Sequence, residues 1–356
     1  MQHLETLHIA GHEEVVVCRD DQTGLQAIIA IHDTTLGPAV GGTRMRPYPD
    51  RESALADVLR LSRAMTYKAA AAELDFGGGK AVILGDPQRD KSEALLRSFG
   101  RFVDRFGGRF MTGEDVGTTA ADMEIAARET PHVVYPRDEL RDKWQTGFLT
   151  AYGVLHGIRC CARTALGSER LEGVAVALQG VGKVGEELAR MLAADGARVA
   201  VADLDERRAA EVAARYGAQL IAPDRVSDAE AEVFAPCALG GVLNDQTIPR
   251  LRCRIVAGAA NNQLEHDRHG AELWRRGILY APDYVINAGG LISALYEMAL
   301  ADRQTVMART AGIEARLRLV FDRSHRDAIP TNEAADRLVE ERLRAARERS
   351  RPTATP

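Results

Sequence analysis

The stretch Val174-Ala175-Val176-Ala177-Leu178-Gln179-Gly180-Val181-Gly182-Lys183-Val184-Gly185 decides the architecture. An apolar, β-branched run ends in a G-x-G-x-x-G turn, and helical periodicity over 183–194 begins at once. In a strand–turn–helix unit that takes a dinucleotide, each glycine has its own task. Gly180 allows the tight turn, Gly182 lets the backbone approach a pyrophosphate, and Gly185 lets helix and strand pack closely. Lys183 and Val184 lie in the first helical turn, whose unpaired N–H groups and positive potential favour an anion. The next apolar run, 198–202, leads into Asp203. A carboxylate there accepts from both hydroxyls of an adenosine ribose and repels a 2'-phosphate, which favours NAD over NADP. Arg207 and Arg208, a turn further on, leave a minor NADP activity open.

Working outward, helix 151–164, strand 174–178, helix 183–194, strand 198–202 and helix 206–216 alternate, followed by strands at 219–221, 231–235, 254–257 and 278–280. Such alternation implies a Rossmann-type, doubly wound parallel sheet with helices on both faces. Upstream, 13–18 and 25–32 read as a hairpin around Asp20-Asp21-Gln22-Thr23-Gly24, and 37–42 as a glycine- and proline-rich passage. Helices are predicted over 52–66 and 92–106, the second stopped by Gly107-Gly108, with a short buried strand at 82–84. A charged amphipathic helix runs from Asn332 to about Arg349. At 356 residues the chain is too long for one ordinary core. The expectation is α/β with two domains and a cleft between them. Residues 1–135 form a smaller α/β substrate and oligomerisation domain, 140–325 the nucleotide domain, and helix 330–349 packs back on the first.

Hydrophobic residues make up 46% of the chain, enough for large cores, and the net charge of −5 argues against broad nucleic-acid contact. No run of eighteen apolar residues exists, and Met1-Gln2-His3-Leu4-Glu5 does not open a secretory signal. The five cysteines, Cys18, Cys160, Cys161, Cys237 and Cys253, lack metal-type spacing and read as reduced thiols of a cytoplasmic protein. His266 and His269 stand three apart with no third ligand near, so no metal is expected.

The chemistry points to the first half. Met65-Thr66-Tyr67-Lys68 and Gly77-Gly78-Gly79-Lys80 carry two lysines, and Thr112-Gly113-Glu114-Asp115-Val116-Gly117-Thr118-Thr119 sets a carboxylate among glycines and threonines. Glycine costs backbone entropy, so three in a row before Lys80 imply close approach by a substrate or another chain segment. A lysine enclosed near a second cation has a lowered pKa and can serve as a base near neutrality. The alternative is a solvated surface lysine beside a loop, the common fate of lysine.

Several further blocks make the resemblance specific. They are Leu36-Gly37-Pro38-Ala39-Val40-Gly41-Gly42-Thr43-Arg44, Phe234-Ala235-Pro236-Cys237-Ala238-Leu239-Gly240, Ala257-Gly258-Ala259-Ala260-Asn261-Asn262 and Ala281-Pro282-Asp283-Tyr284-Val285-Ile286-Asn287-Ala288-Gly289-Gly290. With the lysine and aspartate blocks, the chain over roughly 10–345 resembles the glutamate/leucine/phenylalanine/valine dehydrogenase family, most closely its short leucine, valine and phenylalanine members. The resemblance implies NAD-dependent oxidative deamination of an L-amino acid to a 2-oxo acid and ammonia. It implies that Lys68 binds the substrate carboxylate, assisted by Asn262, that Lys80 activates water, and that Asp115 shuttles a proton at the amino nitrogen. Thr150, Cys237, Ala238 and Asn287 match positions around the nicotinamide. It also implies a homo-oligomer.

Glutamate-specific relatives carry a lysine where Val40 stands, so an apolar substrate side chain is expected. Val40, Gly41, Met65, Gly113, Leu291 and Ala294 are the expected substrate-pocket positions. Gly113 and Ala294 remove wall volume, which with Leu291 leans towards phenylalanine-like over branched aliphatic substrates, with overlap. The family's small-residue loop is replaced here by Asp138-Glu139-Leu140-Arg141-Asp142-Lys143-Trp144-Gln145-Thr146-Gly147. That departure leaves a catalytically impaired homologue with a binding or regulatory role as a rival. A 2-hydroxy-acid dehydrogenase is a second rival, but it would use arginine and a histidine–carboxylate pair.

Overall fold

The computed structural model describes residues 2–135 and 146–350. Two compact units divide the chain; residues from Val339 onward belong with the N-terminal unit, and the second unit ends at Leu338.

The first unit runs β1 (Gln2–Leu7), β2 (Glu14–Asp20), β3 (Leu25–Asp33), β4 (Ala39–Arg46), α1 (Arg51–Ala71), β5 (Gly77–Leu84), α2 (Glu93–Asp104), β6 (Phe110–Glu114) and α3 (Ala120–Ala126). Its sheet has the order β1-β2-β3-β5-β4-β6. The pairs β1–β2, β2–β3 and β3–β5 are antiparallel, whereas β4 runs parallel to both β5 and β6. Side chains alternate across a strand, so the sheet has two apolar faces. Ile29, Ile31, Ala81 and Ile83 pack with Phe99, Phe102 and Val103 of α2 and with Met123 of α3. Val15, Ile28, Ala30 and Val82 pack with Ala54 and Val58 of α1. Asp50 and Ser92 cap α1 and α2 through their side chains.

The glycine- and proline-rich passage at 37–42 enters the sheet at Ala39, and β5 likewise begins at Gly77 instead of at the apolar run 82–84. Glycines carry no hydrophobic alternation, so the pattern is invisible in sequence although the backbone pairs. Lys80 is therefore no surface lysine beside a loop; it sits in an interior strand. Helix α1 extends past its predicted end to Ala71 and takes in Lys68, while β1 carries no strand signal because it is an edge strand exposed along most of its length.

The second unit contains α4 (Thr146–Leu166), β7 (Ala175–Gln179), α5 (Lys183–Ala194), β8 (Arg198–Ala202), α6 (Glu206–Tyr216), β9 (Gln219–Leu220), β10 (Val233–Pro236) and β11 (Ile255–Val256). There follow α7 (Arg268–Arg275), β12 (Leu279–Tyr280), α8 (Asp283–Ile286), α9 (Gly289–Ile292), α10 (Ala294–Glu297), α11 (Arg303–Ala311), α12 (Ile313–Asp327) and the start of α13 (Thr331–Ser350). All strand pairs are parallel in the order β12-β11-β10-β7-β8-β9. From β9 across, the unit's strands come third, second, first, fourth, fifth, sixth, the order of the doubly wound dinucleotide fold. The bounds of α5, β8 and α6 coincide with those predicted.

No helix among the described residues is long and apolar enough to cross a membrane, and among them no group of three or more metal-ligating side chains occurs. All five cysteines are free.

Candidate active site

In the first unit the register gathers the predicted residues on one side of the sheet. Val40 pairs with Gly78 and Met111, and Gly42 with Gly113. Paired residues project to the same face. By alternation Lys80 shares that face with Gly78 and Val82, the face covered by α1. Met65 and Lys68 stand on α1 itself. Gly41 instead closes on the β5 backbone: a Cβ there would lie 1.7 Å from the Gly79 carbonyl oxygen.

Lys80 is 6% exposed, and its Nζ stands 2.7 Å from Oδ2 of Asp115. The group at its Nζ is thus a carboxylate. The loop after β6 holds that carboxylate firmly. The Asp115 N–H donates to Thr118 Oγ1, which donates to the Thr43 carbonyl at 2.7 Å. Gly117, at φ +82°, lets this loop meet Met45, and Gly42 lets it lie against β4, where a Cβ would come 2.9 Å from that of Asp115. Burial raises the Asp115 pKa, but Lys80 and Arg44 outweigh it and hold the carboxyl down to about 2.

Arg44 is the residue that sequence reasoning missed. Its Nε lies 3.3 Å from the same Asp115 oxygen, and its Nη1 lies 3.0 Å from Asp57 Oδ2. Its signal is present at the end of the Leu36–Arg44 block, but without β4 its side chain has no face. Gly113 lies close to the chain at Val134. A Cβ there would lie 3.1 Å from the Val134 carbonyl oxygen, so the omitted methyl makes room for Val134. Trp144 and its neighbours at 138–145 lie outside the described residues.

In the second unit the three glycines differ in the space around them. Gly180 has φ +91°, and a Cβ there would come 2.7 Å from that of Ala238. A Cβ on Gly182 would meet nothing within 4 Å, whereas one on Gly185 would lie 1.9 Å from the Gly180 carbonyl oxygen. The turn thus leaves open space at the N-terminus of α5, where no side chain caps the helix. Lys183 and Val184 open that helix. Asp203 Oδ2 accepts from Val181 N at 2.7 Å and Oδ1 from Asp205 N at 2.9 Å, tying the acid to the turn. Arg207 and Arg208 are paired with Glu211 and Asp205.

Cys237 N donates to the Gln179 carbonyl at 2.7 Å, and burial pushes the Cys237 thiol up to about 12. Asn287, 3% exposed, donates to the Ala259 carbonyl and to Asn261 Oδ1, yet its own Oδ1 is buried without a hydrogen-bond partner among the described residues. Gln179 Oε1, beside the turn, is in the same state. Asn262 adopts φ +51°, a strained backbone that asparagine tolerates and that recurs at binding sites. Thr150 lies buried in α4, and Leu291 and Ala294, both 8% exposed, lie on α9 and α10. Open room at Gly182, an uncapped helix start and buried acceptors without partners fit a nicotinamide dinucleotide.

A doubly wound parallel sheet with this turn has the architecture of the dinucleotide-binding dehydrogenases, and the same chain carries the lysine–aspartate pair. Residues 12–132 match the model of the Glu/Leu/Phe/Val dehydrogenase dimerisation domain, and 201–350 match that of the Glutamate/Leucine/Phenylalanine/Valine dehydrogenases. The chain is 47% identical to leucine dehydrogenase of Geobacillus stearothermophilus over 352 residues, 99% of this chain and 96% of the relative. It is 49% identical to phenylalanine dehydrogenase of Thermoactinomyces intermedius over 336 residues, 94% and 92% of the two chains. The crystal structure of L-tryptophan dehydrogenase from Nostoc punctiforme matches with a TM-score of 0.83 at 45% identity, covering 96% of this chain and 97% of that one. The chain belongs to the glutamate/leucine/phenylalanine/valine dehydrogenase family, the amino-acid dehydrogenases that act on CH–NH2 donors.

Proposed function

We propose that the protein catalyses reversible, NAD-dependent oxidative deamination of an apolar L-amino acid, phenylalanine-like or branched-chain, to the 2-oxo acid and ammonia. The observation that carries this is the buried contact of Lys80 Nζ with Asp115 Oδ2 at 2.7 Å, on the sheet face that also bears Val40 and Gly113.

Gly180, Gly182, Lys183, Val184, Gly185 and Asp203 would hold NAD, with Thr150, Cys237, Ala238 and Asn287 at the nicotinamide end, and the cofactor would supply the hydride acceptor for the substrate Cα. Lys68 and Asn262 hold the substrate carboxylate. The substrate nitrogen engages Asp115, which moves its proton to and from that atom. Lys80, released from the pair and neutral, takes a proton from the water that adds to the imino carbon; collapse of the adduct releases ammonia. Asp203 with paired Arg207 and Arg208 supports NAD over NADP. Val40, 6% exposed, offers a substrate carboxylate no charge, which supports an apolar side chain. The active form is a homo-oligomer, in keeping with a first half that matches a dimerisation-domain model.

A leucine/valine preference is the second reading, supported by the close approach of the Val134 carbonyl oxygen, 3.1 Å from where a Cβ on Gly113 would stand. NADH formation with a panel of L-amino acids, and NADH consumption with the matching 2-oxo acids plus ammonia, decides both. Turnover of phenylalanine and leucine with a preference for one is expected. No turnover of any apolar amino acid in either direction overturns the proposal.

A further inference from the structure

Both cations at Asp115 converge on one oxygen. Lys80 Nζ and Arg44 Nε lie 2.7 Å and 3.3 Å from Oδ2. They differ in kind. Lys80 has to lose a proton to act as a base, whereas a guanidinium keeps its charge at every working pH. Arg44 is itself anchored. Its Nη1 reaches Asp57 on α1 at 3.0 Å, and Asp57 also accepts from Tyr48 Oη at 2.8 Å and Arg60 Nη2 at 2.8 Å. The side chains of Arg44 and Asp57 are 17% and 14% exposed, so this chain of charges is only weakly screened by solvent.

We propose that Arg44, anchored by Asp57, is the positioning residue of the Lys80–Asp115 pair: it shares the Asp115 carboxylate with Lys80, fixes its orientation from the β4 side and supplies a permanent counter-charge. The inference rests on the dehydrogenase reading above. While Lys80 is neutral during turnover, Arg44 alone of the two keeps Asp115 ionised and in place. In the resting state Arg44 and Lys80 share one Asp115 oxygen between them.

Lys80 comes from β5 and Arg44 from β4; Asp57 and Arg60 come from α1, and Tyr48 from the turn before it. Lys68 stands in the last turn of α1, and Glu114, next to Asp115, is exposed. Asp57 is an anion acting on Arg44, so removing it and removing Arg44 have opposite electrostatic signs at Lys80.

The test is the pH profile of kcat/KM for oxidative deamination in the wild type and in Arg44→Gln, Arg44→Lys and Asp57→Asn. Arg44→Gln leaves the whole Asp115 charge on Lys80, and the rising limb moves to higher pH by about half to one unit, roughly three- to tenfold in kcat/KM at a fixed pH on that limb. Asp57→Asn frees Arg44 to pull harder on Asp115 and moves the limb the other way. Arg44→Lys restores the charge and returns the limb towards the wild-type position while kcat stays lowered, because the fork to two carboxylates is lost. A merely structural role for Arg44 lowers activity in all three variants with the limb unmoved, and that result overturns the inference. Should Arg44→Gln fail to fold, an unmoved limb in Asp57→Asn overturns it equally. A wild type inactive on every amino acid sinks the dehydrogenase reading and this inference with it; an active wild type with unmoved limbs sinks the inference alone.

Discussion

A Cβ on Gly78 would stand 2.1 Å from the backbone nitrogen of Thr66 and equally close to its Oγ1. The last turns of α1, which carry Met65 and Lys68, therefore lie directly on the β5 backbone that leads to Lys80. The distance between the two lysine-bearing elements is set by a missing side chain. Gly78→Ala has to lift α1 off the sheet. A loss of at least about 1–3 kcal/mol is expected from overpacking alone, seen as a lower urea midpoint with an unchanged m-value. KM for the amino acid rises as well, because Lys68 moves with the helix. An unchanged midpoint in Gly78→Ala would show that α1 does not press on this strand.

Lys80→Ala removes the proposed base and one of the two cations at Asp115. Turnover falls by about 10²–10⁴-fold, the usual worth of a general base. The Asp115 loop keeps its shape, because Thr118, Thr43 and Arg44 hold it independently. NADH binding to the variant, followed by fluorescence, stays near the wild-type value. Near-normal kcat in Lys80→Ala means another group is the base.

His32 gives the fold an acid-sensitive joint beneath α1. Its Nδ1 lies 2.8 Å from Thr66 Oγ1, and its ring meets that of His12 edge-on at 5.0 Å. Burial, with a smaller contribution from His12, lowers the His32 pKa from 6.5 to about 4. The folded imidazole thus binds its proton less readily than the unfolded one. Between those two values the unfolded chain takes up the proton, so stability falls as the pH drops from about 6.5 towards 4. Thermal midpoints measured across this window decline more steeply for the wild type than for His32→Asn. Parallel curves for the two proteins would place the acid sensitivity elsewhere.

What the sequence made legible follows the side chains. Around Gly180 the apolar run, the glycines and Asp203 each leave a mark, and the bounds of α5, β8 and α6 can be read to the residue. In the first unit the decisive strands begin with Ala39-Val40-Gly41-Gly42 and Gly77-Gly78-Gly79, and glycine has no periodicity to read. Lys80 and Asp115 are visible as chemistry, but the face that Lys80 shares with Val40 and Gly113 is a property of register, and register is not written locally. Arg44 stays hidden for the same reason. The contact of Gly113 with Val134, beside the Thr112–Val133 bridge, is likewise not legible, because the two are distant along the chain.

Gly182 and Gly185 stand three residues apart in one turn and separate binding from folding. A Cβ on Gly182 meets nothing within 4 Å, and its φ of −68° suits any residue. Gly182→Ala should fold with a thermal midpoint close to that of the wild type. Its methyl group occupies the space proposed for the pyrophosphate, so the Kd for NADH rises at least about tenfold, ~1.4 kcal/mol. A Cβ on Gly185 would lie 1.9 Å from the Gly180 carbonyl oxygen and 3.4 Å from Leu178 Cδ2, so Gly185→Ala forces α5 away from β7. That variant loses stability whether or not a nucleotide is present, and excess NADH recovers little of it. The comparison requires only thermal unfolding with and without NADH. Unchanged NADH affinity in Gly182→Ala would move the dinucleotide away from this turn, and with it the assignment of Asp203.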